Sequence, residues 1–168
     1  MKLNDKQDIR ICSIKQLCLY LDKELPDRKT IAIFLTMEKT EHPNLRLLDN
    51  YLKLNVFDTE IEDRAYSFNY DNGLQVKEFL EKENDFGRLY ICCDSGESRS
   101  TAMAATILRF YGQSDEEIWT NPYYHPNLLV YKEQLYAFGI KVSKLWLRYL
   151  KYINNRALKK AINRKKRR

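Results

Sequence analysis

Apolar residues fall along this chain in short β-like runs that alternate with longer stretches at helical spacing. Ile9–Ile14, Thr30–Thr36 and the β-prone run Arg88–Cys92 predict strands. Tyr51, Lys53, Asn55 and Phe57 alternate with Leu52, Leu54 and Val56, the period of a strand with one covered face, within a segment Leu45–Phe57 that should hold the next strand. Lys15–Asp22, Leu74–Glu83, Thr101–Tyr111 and Leu128–Phe138 read as helices, whereas Glu38–Asn44 and the turn-rich, aromatic Asn121–Asn127 read as loops. Strand and helix in alternation predict a single α/β domain with a central, mostly parallel sheet flanked by helices.

The last stretch is different. From Lys141 to Arg168 there are 12 Lys and Arg and no Asp or Glu, so the other 140 residues hold 17 basic and 23 acidic: the overall +6 hides a −6 domain and a +12 tail. Val142, Leu145, Trp146, Tyr149, Leu150, Ile153, Ala157 and Ala161 recur at helical spacing, predicting an amphipathic helix with cations opposite. The chain therefore divides into an α/β domain, 1–140, and a basic C-terminal helix and tail, 141–168. The simplest expectation is that the apolar stripe packs on the domain while the cations face water, the alternative being an anionic partner, nucleic acid or acidic lipid.

Composition bounds the class without naming it. At 168 residues, 44% apolar and 31% charged, the chain suits one soluble core. No run approaches a membrane span and Met1–Arg10 is too polar for a secretory signal, so a cytoplasmic location and a monomer are expected. The four cysteines are not spaced like a disulfide framework or a zinc site, and neither metal nor cofactor is expected.

Chemistry concentrates where the strand Arg88–Cys92 meets the helix Thr101–Tyr111. Cys93–Ser100 reads Cys-Asp-Ser-Gly-Glu-Ser-Arg-Ser. Backbone N–H groups from Asp94, Ser95, Gly96, Glu97, Ser98 and Arg99 precede a helix, have no helical partner, and can curl into a nest for one anion, with Gly96 allowing the curl. A cysteine inside such a ring of dipoles, near a guanidinium, shifts toward the thiolate. Arg99 can hold two phosphoryl oxygens with its planar fork. Ser100 can donate to the sulfur, steadying the thiolate both as nucleophile and as leaving group. Gly, Arg and Ser at these offsets from one of four cysteines arise by chance in roughly one chain in a thousand.

The run Ile-Cys-Cys-Asp-Ser-Gly-Glu-Ser-Arg-Ser-Thr-Ala, Ile91–Ala102, resembles the signature of the cysteine-dependent protein tyrosine phosphatases, and most of all the small dual-specificity type. Cys93, Gly96, Ser98, Arg99 and Ser100 match position by position. With the Pro126-Asn127 pair before the last core helix, similar to that of bacterial members, the resemblance covers roughly residues 30–138. It implies a helix-flanked sheet, hydrolysis of a phosphate monoester on a phosphorylated protein (phosphotyrosine or dual specificity) or a small phosphoester, a phosphocysteine intermediate, and no metal. The chain departs from the pattern in having Cys92 where the family has His, and acidic Asp94 and Glu97 inside the loop. Those charges oppose a phosphate dianion and disfavour highly phosphorylated substrates such as inositol phosphates. They also leave open a weak or inactive phosphate-binding module; rhodanese or arsenate reductase chemistry fits less well.

Such a phosphatase needs an acid for the leaving oxygen. In the family that acid follows a strand, which points to Asp58, 35 residues before Cys93, with Asp63 of the same acidic stretch as the alternative. Strand alternation should turn Cys92 into the core, away from Cys93, although capture of an oxidised Cys93 by a neighbouring thiol or backbone nitrogen is conceivable chemistry. Cys12 and Cys18 read as buried hydrophobes, His42 as a surface loop residue and His125 as a turn residue. Tyr123, Tyr124, Tyr131 and Tyr136 are candidate ring faces for a substrate.

Overall fold

The computed structural model describes residues 7–23, 26–39 and 43–165. Its elements are β1 (Asp8–Ser13), α1 (Ile14–Lys23), β2 (Thr30–Leu35), β3 (Asn50–Leu54), α2 (Tyr70–Lys82), β4 (Arg88–Cys93), α3 (Arg99–Phe110), α4 (Glu116–Thr120), α5 (Leu128–Ala137) and α6 (Lys144–Lys165). The four strands form one sheet in the order β1-β4-β2-β3, every pairing parallel. The expected α/β architecture is present.

Both central strands, β2 and β4, are buried along their whole length. Alternation along them sorts side chains into two cores. Ile31, Ile33, Leu35, Leu89, Ile91 and Cys93 join the larger cluster, with residues of α2, α3 and α5. Ala32, Phe34, Tyr90 and Cys92 face the other way, meeting Cys12 and Leu17, Leu21 of α1. A residue buried on both sides of the sheet reads as a continuous apolar run, which is why these strands were conspicuous in the sequence.

Register places the site. Ser13, Leu35 and Cys93 stand side by side at the carboxyl ends of β1, β2 and β4. Ligands of open parallel sheets bind along that edge, where the strands feed into loops and helix N-termini.

Two predicted elements have different bounds, and one short helix was not predicted. Leu45–Phe57 does hold the next strand, but only as Asn50–Leu54: Pro43–Leu47 is a 3-10 helix that turns Leu45 into the smaller core, and the ladder begins after the Asp49 N–H donates to the Thr30 carbonyl and the Thr30 N–H to the Asp49 carboxylate. Beyond Leu54 the alternation persists, with Val56 buried and Phe57 exposed, but β2 has ended and the Val56 carbonyl is taken by Arg99. A short helix, α4, precedes the 121–127 loop. α2 starts at Tyr70 rather than Leu74, because Asn69 and Asn72 form a reciprocal capping box.

The basic helix also departs from expectation. α6 begins at Lys144, so Val142 packs against the core before the helix starts. Leu150 and Asn154 are its buried positions, whereas Leu145 and Tyr149, placed on the packed stripe by their spacing, face solvent. The predicted apolar arc is wider than the contact, and only its Leu150 side meets the domain. No helix among the described residues is long and apolar enough to cross a membrane.

Candidate active site

The loop between β4 and α3 closes around the Cys93 sulfur. Sγ lies 3.1 Å from the Ser100 hydroxyl and accepts from the Gly96 amide at 3.3 Å. Burial works against the thiolate, but the Ser100 side chain and the amides of Ser100, Ser98 and Gly96 together outweigh it, holding the Cys93 thiol below its ordinary value. Gly96 has φ +78°, and a Cβ there would come within 2.6 Å of the Ser13 nitrogen. Left-handed backbone and close approach to the end of β1 both require glycine at this apex.

Arg99, the first residue of α3, is almost fully buried. Its Nη1 donates to the Val56 carbonyl at 2.7 Å and its Nη2 to Asp94 Oδ2 at 2.5 Å. Its Nε is buried with no hydrogen-bond partner among the described residues, Asp58 Oδ2 lying 3.8 Å away. One arm of the guanidinium is thus a structural tie. The bidentate Nε–Nη2 edge is half open and half occupied by Asp94. The second Asp94 oxygen accepts from the Thr36 hydroxyl at the end of β2. Glu97 and Ser95 are exposed, and the loop's two acids behave differently: Glu97 faces water while Asp94 turns onto Arg99.

Of the two candidate acids, Asp58 stands at the loop. Its Oδ1 accepts from the Ser98 hydroxyl and from Asn127 Nδ2, each at 2.8 Å, and its side chain remains partly exposed. Asp63 instead lines a separate cavity of about 510 Å³ with Asn55, Tyr66 and Asn72. Ser98 occupies the N-cap position of α3 but donates to Asp58 rather than capping the helix.

Asn127 is the site residue the sequence did not single out. Buried at the start of α5, it caps the amides of Leu129 and Val130 with its oxygen while its nitrogen holds Asp58 and the Thr59 carbonyl. The neighbouring backbone grips the phosphate-loop candidate directly, His125 N–H donating to the Glu97 carbonyl at 2.8 Å. The His125 side chain is exposed, consistent with a turn role. The place of Asn127 after Pro126 and ahead of a helix is a cap signal, but nothing local signals its reach back to residue 58.

Cys92 lies on the far face of the sheet, fully buried, its sulfur 3.4 Å from that of Cys12. Burial, then contact with Cys12, pushes its thiol well above the ordinary range. Its packed position matches the expectation from strand alternation, and Cys12 and Cys18 are buried as expected. His42 lies outside the described residues. Tyr131 cannot offer a ring face to substrate: it is fully buried and donates to Asp115 Oδ2 at 2.9 Å, and burial raises its hydroxyl pKa further. Tyr123 is exposed. Tyr124 and Tyr136 are half-buried.

Several solved structures are similar to this chain at low identity. The core catalytic domain of the PP-IP phosphatase SIW14 from S. cerevisiae, solved with citrate, is 14% identical, covers 94% of this chain and 88% of its own, and superposes with a TM-score of 0.46. PTPMT1 in complex with PI(5)P is 18% identical, with 94% and 96% coverage and a TM-score of 0.44. Human DUSP28 is 15% identical, with 95% and 98% coverage and a TM-score of 0.42. No family model matches this chain, and no curated protein does. At these identities the neighbours assign no activity, and the loop geometry must support any functional reading.

Proposed function

We propose that the protein is a cysteine-dependent phosphatase acting on phosphate monoesters. The observation that carries this reading is the pairing of a thiol held toward its ionised form by Ser100 and loop amides with a buried Arg99 whose Nε has no hydrogen-bond partner among the described residues. A buried guanidinium donor without a hydrogen bond, in the same loop as a nucleophile, calls for an anionic ligand.

The reaction follows from those groups. The Cys93 thiolate attacks phosphorus while the loop amides from Asp94 to Arg99 and the Arg99 edge hold the equatorial oxygens. Asp58, in its protonated form, gives its proton to the departing oxygen, and the phosphoryl group is then bonded to Cys93. Asp58, now a carboxylate, takes a proton from the attacking water, the P–S bond breaks, and Ser100 stabilises the thiolate that leaves. Nucleophile, cation and acid are all side chains of this chain, so the cycle calls on no metal or cofactor.

Asp94 and Glu97 favour a substrate carrying one phosphoryl group over a polyphosphorylated one, since each further negative charge meets their repulsion. A phosphorylated protein, at phosphotyrosine or with dual specificity, fits this requirement. A free thiolate is best kept in a reducing compartment such as the cytoplasm. The second reading, a phosphate-binding module with little turnover, draws on the Asp94 carboxylate seated on Arg99.

Hydrolysis of para-nitrophenyl phosphate by the wild type and by Cys93→Ser separates the two. The phosphatase reading expects turnover that Cys93→Ser abolishes. Equal activity in both ends it, and no turnover with retained phosphopeptide binding favours the module.

A further inference from the structure

The outward face of α6 combines three exposed apolar side chains with a run of cations, and its orientation is fixed by what lies beneath. On the inner side Leu150 and Asn154 are buried, with Asn154 Nδ2 donating to the Tyr124 carbonyl at 2.8 Å and to the Trp119 carbonyl at 3.3 Å. Arg109 stacks its guanidinium 5.6 Å over the Trp146 ring. The helix cannot roll to hide its other face without breaking these contacts.

On that other face Leu145, Tyr149 and Tyr152 are 75%, 51% and 61% exposed. Spaced i, i+4 and i+7, they form one row along the helix. A shallow hollow of about 530 Å³ opens among them, Trp146 and Arg148. The same row continues into Arg156, Lys159 and Lys160, all exposed, with Lys144 and Arg148 beside its apolar start. The helix carries eight Lys and Arg and no acid, and the chain beyond Asn163 reads Arg-Lys-Lys-Arg-Arg.

We propose that this face docks on the surface of an anionic phospholipid bilayer. The cations supply charge complementarity to acidic headgroups. Leu145 inserts among the acyl chains, and the two tyrosines sit where their rings meet hydrocarbon and their hydroxyls meet water. A nucleic acid would use the cations and could stack on tyrosine, but it has no use for an isolated aliphatic side chain at the head of the row. The dock lies outside the Cys93 loop and does not depend on its chemistry.

Co-sedimentation of the full chain with vesicles tests this, using phosphatidylcholine alone and phosphatidylcholine with roughly one-third phosphatidylserine. The expected result is binding to the acidic vesicles only, weakened by salt, and reduced about tenfold or more both by Leu145→Glu with Tyr152→Glu and by Arg156→Glu with Lys160→Glu. All four positions are exposed, and an unchanged thermal melt shows that each variant is folded. Absence of binding to acidic vesicles overturns the proposal. So does binding that the Leu145→Glu, Tyr152→Glu variant retains, or tighter salt-sensitive binding to a single-stranded RNA oligonucleotide that the same variant retains, which would make the face a nucleic-acid site.

Discussion

Asp94 occupies half of the edge by which Arg99 would hold a phosphoryl group, so Asp94→Asn is the most informative single change in the loop. The carboxylate lies 2.5 Å from Arg99 Nη2, and an anion on the same edge would sit roughly 5 Å from it. With the side chain partly in water, a dielectric near that of bulk gives about 0.8 kcal/mol per pair of unit charges at that separation, hence about 1.7 kcal/mol against a dianion. At about 1.4 kcal/mol per tenfold, phosphate affinity should rise roughly 10- to 20-fold in the variant. The asparagine oxygen can still accept from Arg99, so the fold should lose no more than about 1 kcal/mol. The assay is the inhibition constant of inorganic phosphate, or its calorimetric binding, at low and high salt, with a thermal melt as control. Unchanged or weaker phosphate binding in a folded Asp94→Asn protein would refute the claim that Asp94 competes for the Arg99 edge.

Other substitutions probe separate parts of the site. Ser100→Ala removes the side chain that most favours the Cys93 thiolate, so the pH profile of iodoacetate alkylation should move upward. Because the folded thiol is depressed, its ionisation adds stability that is complete only above the unfolded thiol value and is lost as pH falls through the folded value; Ser100→Ala should shrink that gain, and an unmoved profile would contradict the assignment. Asp58→Ala should lower turnover by about 10²- to 10⁴-fold on an alkyl phosphate and far less on para-nitrophenyl phosphate, whose leaving group needs no proton. Asn127→Ala should show the same leaving-group dependence in weaker form and cost about 1 kcal/mol of stability through the lost α5 cap; a stability loss with no leaving-group dependence would make Asn127 a cap alone. Gly96→Ala places a Cβ within 2.6 Å of the Ser13 nitrogen at positive φ, and should abolish phosphate binding while most of the secondary structure persists in circular dichroism.

What could be read before the structure was what short spacing encodes. Cys93, Gly96, Arg99 and Ser100 lie within eight consecutive residues, and a strand on one side with a helix on the other leaves a single way to wrap them. β2 and β4 were visible because burial on both faces makes an apolar run with no polar interruptions. Asp58 was favoured by its place after a strand, but its partners Ser98 and Asn127 come from residues 40 and 69 positions further along the chain, and no local pattern announces such contacts. The segment Leu45–Phe57 contained the strand without marking where it starts, because an apolar pair such as Leu45 and Leu48 does not distinguish a strand from a 3-10 turn and its exit. On α6 the periodicity located an apolar arc without showing which side of it would be used. The Asn154 hydrogen bonds to α4 and the 121–127 loop make that choice, and they leave Leu145 and Tyr149 outside.

In the proposed mechanism Cys93 takes the phosphoryl group covalently. Rapid quenching of the full chain during turnover of para-nitrophenyl phosphate, followed by mass spectrometry of the Cys93 peptide, tests it without reference to substrate identity. The expected result is the mass of one phosphoryl group on Cys93, more of it in Ser100→Ala because the thiolate leaves less readily, and none in Cys93→Ser. Steady turnover with no phosphoryl adduct on Cys93 at any quench time, in either the wild type or Ser100→Ala, would contradict it.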